Sequence, residues 1–149
     1  MKTILRRRIE GKTDYGSRMN LLKSEIPRLV VRISNRYIIA QIVKSKEAQD
    51  SVLCTANSKE LVKYGMPEAF SMKNISNAYL TGALIAKKGK EKKITEVILD
   101  IGLKRSTKGS KIYAVVKGCA DSGIKLKYSE EMVPQIPENV KHIKEKIQK

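Results

Sequence analysis

The sequence predicts an α/β fold, a mixed β-sheet packed by helices, preceded by a basic N-terminal arm. Three observations carry that reading. Two segments rich in Val and Ile, residues 29–34 and 37–44, are joined only by Asn35 and Arg36, the length and chemistry of a tight hairpin turn. Val97, Ile98, Leu99 and Ile101 make a nearly continuous apolar run of strand length. Two further segments, 75–86 and 112–120, carry small and apolar residues at helical spacing.

Residues 1–13 hold Lys2, Arg6, Arg7, Arg8 and Lys12 against the single acid Glu10 and have too little apolar content to pack by themselves. They read as the arm. Residues 14–131 are expected to form one α/β domain, and 132–149 a helical tail. Thr13 and Asp14 are N-cap types ahead of Tyr15, Met19 and Leu22, whose spacing predicts a short helix over 14–23, before Pro27. With the turn at Asn35 and Arg36, the hairpin sets Leu29 opposite Ile42, Val31 opposite Ala40 and Ile33 opposite Ile38 on a wholly apolar face. The other face pairs Arg28 with Val43, Val30 with Gln41, Arg32 with Ile39 and Ser34 with Tyr37, a mixture suited to RNA or to solvent. A third strand is expected over 52–57, with Val52, Cys54 and Ala56 pointing inward and Cys54 a small core residue.

Ser58 is expected to cap a short helical piece through Tyr64, ended by Gly65 and Pro67, with 66–73 irregular. A helix follows from Asn74 or Ser76 to about Lys88, its stripe of small residues implying close packing on a sheet. The lysines at 87, 88, 90, 92 and 93 have two readings, solvation of a helix end favoured by the dipole or contact with RNA. The run at 97–101 predicts a central strand covered on both faces. After a loop at 104–109, a helix is expected over 110–121 with Gly123 as its C′ residue, then a short strand over 124–128. Pro137 opens a terminal helix whose narrow stripe, Val140, Ile143 and Ile147, fits weak docking or docking on a partner.

Charge narrows the function. Thirty-one Lys and Arg against fifteen Asp and Glu leave +16 on 149 residues, which points to a polyanionic partner. The apolar content of 41% is that of a chain able to build a core, and the length favours one domain. No apolar run approaches the ~18 residues of a membrane span, and no signal-peptide stretch follows the first basic residues. A cytoplasmic chain with Cys54 and Cys119 reduced is expected. Two cysteines and one histidine cannot supply four zinc ligands, His142 sits in a Lys-rich segment as a solvated helix residue, and no cofactor is implied.

The segment 100–111 is the most informative. A strand ends, a loop carries Lys104, Arg105, Ser106, Thr107 and Lys108, and a helix begins near Gly109 or Ser110 with Lys111 in its first turn. Unpaired amides and the positive end of the helix dipole there attract phosphate. The spacing is not that of a nucleotide-cradling loop, so nucleic-acid backbone fits better than ATP. The competing reading of Ser106 and Thr107 is that they merely cap the helix, and the two readings can hold together. The arm's Arg6, Arg7 and Arg8 suit bidentate phosphate contact, although a solvated arm has the same composition. With six Tyr, one Phe and no Trp, recognition rests on backbone and shape more than on base stacking. Two other classes compete: a metal-dependent nuclease using Asp100 and Asp121, and a basic module on anionic membrane, which lacks the Trp and Phe it would need.

Five blocks give the chain a resemblance: residues 6–15 (RRRIEGKTDY), 27–35 (PRLVVRISN), 38–42 (IIAQI), 78–82 (AYLTG) and 99–109 (LDIGLKRSTKG). In this order they resemble the family of large-subunit ribosomal protein eighteen in its archaeal form, over most of the chain from Arg6 to about Glu131. The resemblance implies helices on a mixed sheet and a seat in the central protuberance of the large subunit. It also implies contacts to 5S rRNA, to the large-subunit rRNA and to neighbouring central-protuberance proteins. Carried over by position, Arg6, Arg7, Arg8 and Lys12 would thread between RNA segments, and Arg28 and Arg32 would meet 5S rRNA. The block from Lys104 to Lys111 would hold phosphates, and Arg18 and Arg36 complete the RNA-binding candidates.

Overall fold

The computed structural model describes residues 4, 6–46, 49–67 and 71–148. Lys2 of the expected arm and residues 68–70 of the irregular stretch lie outside them. The chain opens with one exposed helical turn, α1 (Arg6–Ile9), followed by α2 (Tyr15–Leu22). Asp14 caps α2 as its residue type predicts, its Oδ1 accepting from the amides of Gly16 and Ser17. No residue of α2 is buried, and Met19 of the expected apolar stripe is exposed. The helix lies on the surface.

β1 (Arg28–Ile33) and β2 (Ile38–Lys46) pair antiparallel in the register expected, from Arg28 with Val43 to Ile33 with Ile38. Leu29, Val31, Ile38, Ala40 and Ile42 are accordingly buried. β3 (Gln49–Asn57) extends the sheet on the far side of β2. Cys54 and Ala56 point inward as expected, but Val52 is 52% exposed. A bulge explains the correction: Ile42 pairs with Cys54 while Val43 pairs with Val52, leaving Leu53 as the extra residue and turning Val52 to the opposite face.

After β3 the chain makes a 3-10 helix, Ser58–Tyr64. Its cap is Asn57, in a reciprocal box with Glu60, and not Ser58. Ser58 is buried instead, and its hydroxyl accepts from the amide of Ile38. α3 (Ile75–Glu91) crosses beneath β2 and β3 and is buried along most of its length. Two expectations fail next. β4 (Ile98–Asp100) is three residues long and lies at the edge of a sheet of order β3-β2-β1-β4, parallel to β1, with half-buried side chains. The strand expected over 124–128 reduces to a single bridge between Glu96 and Lys125. That bridge covers the free side of the run at its start and puts Val97 in the core, so its apolar character does not require a central position.

α4 (Lys111–Asp121) packs on α3, and Gly123 follows it with φ of 94°, the left-handed C′ conformation. The contact is backbone to backbone. A Cβ on Gly82 would sit 2.1 Å from the carbonyl oxygen of Val115, and one on Gly118 would sit 2.0 Å from that of Tyr79. The stripe of small residues thus closes α3 onto α4 as well as onto the sheet. α5 (Lys141–Gln148) docks on α3 and the 3-10 helix, burying Val140 and Ile147 completely enough to join the core. Lys144 stands 5.6 Å over the Tyr79 ring and donates to the carbonyl of Asp121. Two deep apolar anchors and this cation on a ring hold a helix whose stripe alone predicted weak docking.

The glycine crossing yields a prediction in which two effects oppose. Alanine in a helix interior gains about 1 kcal/mol over glycine, whereas forcing an atom into a packed contact costs roughly 1–3 kcal/mol or more. At 2.1 Å from backbone the clash wins, so Gly82→Ala should lower the urea midpoint. Gly16→Ala in α2, where the nearest atom is 3.4 Å away, should not. A Gly82→Ala variant as stable as the parent would remove this crossing as a constraint.

Candidate nucleic-acid interface

The helix α3 covers one face of the sheet, with α4 and α5 packed on it in turn. The other face, with residues of the arm and of the loop after β4, encloses a trough of about 1240 Å³. Its floor is the mixed hairpin face read from the sequence, Val30 and Arg32 on β1, Gln41 and Val43 on β2, with Val52 added by the bulge. One wall is the segment from Arg7 through Lys12 to Arg18 of α2. The other runs from Leu99 to Lys104. Arg7, Lys12, Arg18, Arg28, Arg32 and Lys104, scattered over a hundred residues of sequence, are thereby brought to one concavity. Cations on low-dielectric walls focus the field and attract a polyanion.

The trough is held by an ion network. Arg28 is 3% exposed, and its Nη1 donates to Asp100 Oδ2 at 2.5 Å. Its Nη2 donates to Asp50 Oδ1 at 3.0 Å and to Ser45 Oγ at 3.1 Å. Asp50 Oδ2 accepts from Arg18 Nη2 at 2.7 Å, and the Ser45 hydroxyl donates to Oδ1. Burial opposes ionisation of Asp50, but Ser45, Arg18 and Arg28 outweigh it and hold the carboxyl below the usual carboxylate range. The sequence marked Arg28 as an RNA contact; the structure places its guanidinium fork on two carboxylates. Asp50 was not legible as a site residue because the strand was read as starting at Val52. Its pairing opposite Ser45 across the hairpin is the signal that would have found it.

The remaining candidates form a second group. Arg105, Ser106, Thr107 and Lys108 project on an exposed loop bounded by Gly102 and Gly109, both with positive φ. Neither Ser106 nor Thr107 caps α4. Ser106 bonds the hydroxyl of Tyr113, while Ser110 occupies the N-cap position, makes no side-chain cap bond and buries its Oγ without a partner. The amides of Tyr113 and Ala114 close on the Ser110 carbonyl, and no side chain caps the first turn of α4, which begins at Lys111. Arg6 and Arg8 are exposed outside the trough, Arg6 paired with Glu10 at 2.8 Å. Arg36 stands at the hairpin tip, 5.8 Å over the Tyr37 ring.

Of the lysine run, Lys88 bonds Glu60 at 2.6 Å and the Thr55 carbonyl at 2.7 Å, and Lys92 bonds the Leu53 carbonyl. Those two bond within the chain; Lys87 and Lys90 line a smaller cleft of about 510 Å³. The nuclease carboxylates are also engaged, Asp100 by Arg28 and the Gly102 amide, Asp121 by the Tyr79 hydroxyl and Lys117. Among the described residues, no group of three His, Cys, Asp or Glu is placed to hold a metal. His142 is exposed. Burial pushes the Cys119 thiol up to about 12, which makes it a packing residue and not a nucleophile.

A family model described as ribosomal large subunit proteins 60S L5 and 50S L18 matches residues 1–95 and 86–129. The chain belongs to this family. It is 53% identical over 133 residues to the large ribosomal subunit protein uL18 of Korarchaeum cryptofilum, covering 89% of this chain and 67% of that one. The uL18 proteins of Methanoregula boonei and Methanobrevibacter smithii are 46% and 44% identical, with 87% and 89% of this chain and 73% and 68% of theirs covered. The family is one of structural ribosomal proteins, not enzymes. Its match takes in both walls and the floor of the trough and ends before α5.

The network predicts a pH dependence. A carboxyl whose folded pKa lies below its unfolded value contributes stability above the ordinary value near 3.9, and that contribution is lost as pH falls. The stability difference between the parent and Asp50→Asn should therefore be largest near about pH 6 and shrink toward about pH 3 in urea titrations. Because Asp50 is 34% exposed, screening limits the difference to about 1 kcal/mol or less. A gap that widens in acid would contradict the assignment.

Proposed function

We propose that this chain is a structural constituent of the large ribosomal subunit that binds 5S rRNA and helps attach it to the large-subunit rRNA in the central protuberance. The observation that carries the reading is the basic trough on the open sheet face, in a chain of this family. Arg7, Lys12, Arg18, Arg32 and Lys104 meet phosphates along its walls and floor. The second group, Arg105 to Lys108 with Lys111 at the uncapped first turn of α4, takes a further stretch of backbone. Arg6 and Arg8, exposed beside Arg7, and Arg36 at the hairpin tip extend contact to neighbouring RNA. Aliphatic Val30 and Val52 between the cations offer sugar edges an apolar surface, which with few aromatics favours recognition of RNA shape over base sequence. Neighbouring proteins of the central protuberance complete the partners.

Two variants test this by salt titration of 5S rRNA binding. Lys104→Ala with Arg105→Ala should weaken binding and reduce the log–log salt slope by roughly one unit or less per lost contact, with circular dichroism unchanged. Replacing Arg6, Arg7 and Arg8 together by Ala should leave the melting temperature nearly unchanged, since their described side chains are exposed. Affinity at moderate salt should fall on the order of tenfold or more. Parental affinity and slope in both variants would remove these residues from the interface.

A further inference from the structure

The trough's two walls come from opposite ends of the domain's sequence, and neither is tied to the other by backbone. What joins them is a continuous chain of polar bonds through the floor. The Gly102 amide donates to Asp100 Oδ1 at 2.9 Å, and Asp100 Oδ2 accepts from Arg28. Arg28 reaches Asp50 with its other Nη, and Asp50 accepts from Arg18 on α2. Gly102 has φ of 60° and opens the turn that leads to Lys104, so the bond from Asp100 fixes where the loop leaves the sheet. β4, at the sheet edge and three residues long, has few ladder bonds of its own to hold that position. A planar guanidinium is the side chain that can bridge two carboxylates at once; a lysine ammonium keeps the charge but not the fork.

We propose that Arg28 is a positioning residue for RNA: it sets the separation of Arg18 from the loop that carries Lys104, and does so without itself meeting phosphate. This rests on the function proposed above, and it makes the most buried cation of the trough one that acts through its neighbours. The interaction is the opposite of a surface ion pair, since removing one partner strands the others in a partly dry site.

The experiment is a double-mutant cycle of Arg28→Lys and Lys104→Ala, read by 5S rRNA affinity across a salt series, with amide exchange at Gly102 measured on the free protein. Arg28→Lys, which keeps the charge but loses the fork, should bind on the order of tenfold more weakly at fixed salt. Lys104→Ala should cost less in the Arg28→Lys background than in the parent, and Gly102 should exchange faster. In Arg28→Gln, which removes the charge, a slope lowered by about one unit relative to Arg28→Lys would show direct phosphate contact at Arg28 and overturn the proposal. Additive costs with Gly102 unchanged would overturn it equally. Should Arg28→Lys fail to fold, Asp100→Asn, which weakens the same chain at a partly exposed carboxylate and leaves Arg28 in place, carries the cycle with Lys104→Ala and the Gly102 exchange. Absence of salt-dependent 5S rRNA binding by the parent would instead overturn the function reading and with it the RNA half of this proposal, while Gly102 exchange still decides whether Arg28 ties the loop.

Discussion

Gly82 and Gly118 face each other where α3 and α4 cross, and the architecture is arranged around that contact. Because the helices meet at their backbones, α3 touches the sheet on one side, α4 on another and α5 on a third. A helix enclosed in this way has no room for a polar stripe, which accounts for the small and apolar residues along it and for the lysines held back to its final turns. The crossing also fixes the axis of α4. Its N-terminus emerges beside the loop that follows β4, so packing on the buried side of the sheet decides where an anion-attracting helix end is offered on the exposed side.

Charge is sorted by the same layering. The core cluster is aliphatic, the cations lie outside it, and Arg28 is the exception that is buried and paired. Desolvating an ion pair generally gives little stability for its cost, so a buried Arg with two carboxylates is better understood as defining geometry than as strengthening the fold. With a formal charge of +16, self-repulsion opposes compaction, and the acids at positions 50, 60 and 100 each stand against a cation where elements meet.

The hairpin was legible in full, including its register, because a two-residue turn and a period of two leave no freedom once one face must be apolar. α3 and α4 were legible from spacing, and α2 from its cap. The bulge after Ile42 was not: it is one backbone residue with no signature side chain, and it alone moved Val52 to the outer face and set Asp50 within reach of Arg28. The run at 97–101 misled because apolar content reports burial, not position in a sheet, and an edge strand flanked by a crossing segment is buried too. Site residues were legible one by one as cations. Their partition between a trough and a separate loop was not, since it follows from tertiary contacts between residues as far apart as Arg7 and Lys104.

β3 is one of the sheet's two edge strands, and such a strand ordinarily presents a row of open carbonyls and amides. Here Lys88 and Lys92, from the last turns of α3, lay their ammonium groups on the carbonyls of Thr55 and Leu53. A strand from another molecule seeking those carbonyls would have to displace two cations seated on them. The end of α3 thus closes part of the border that its middle packs beneath, so one helix serves both as the support of the sheet and as the cover of its edge.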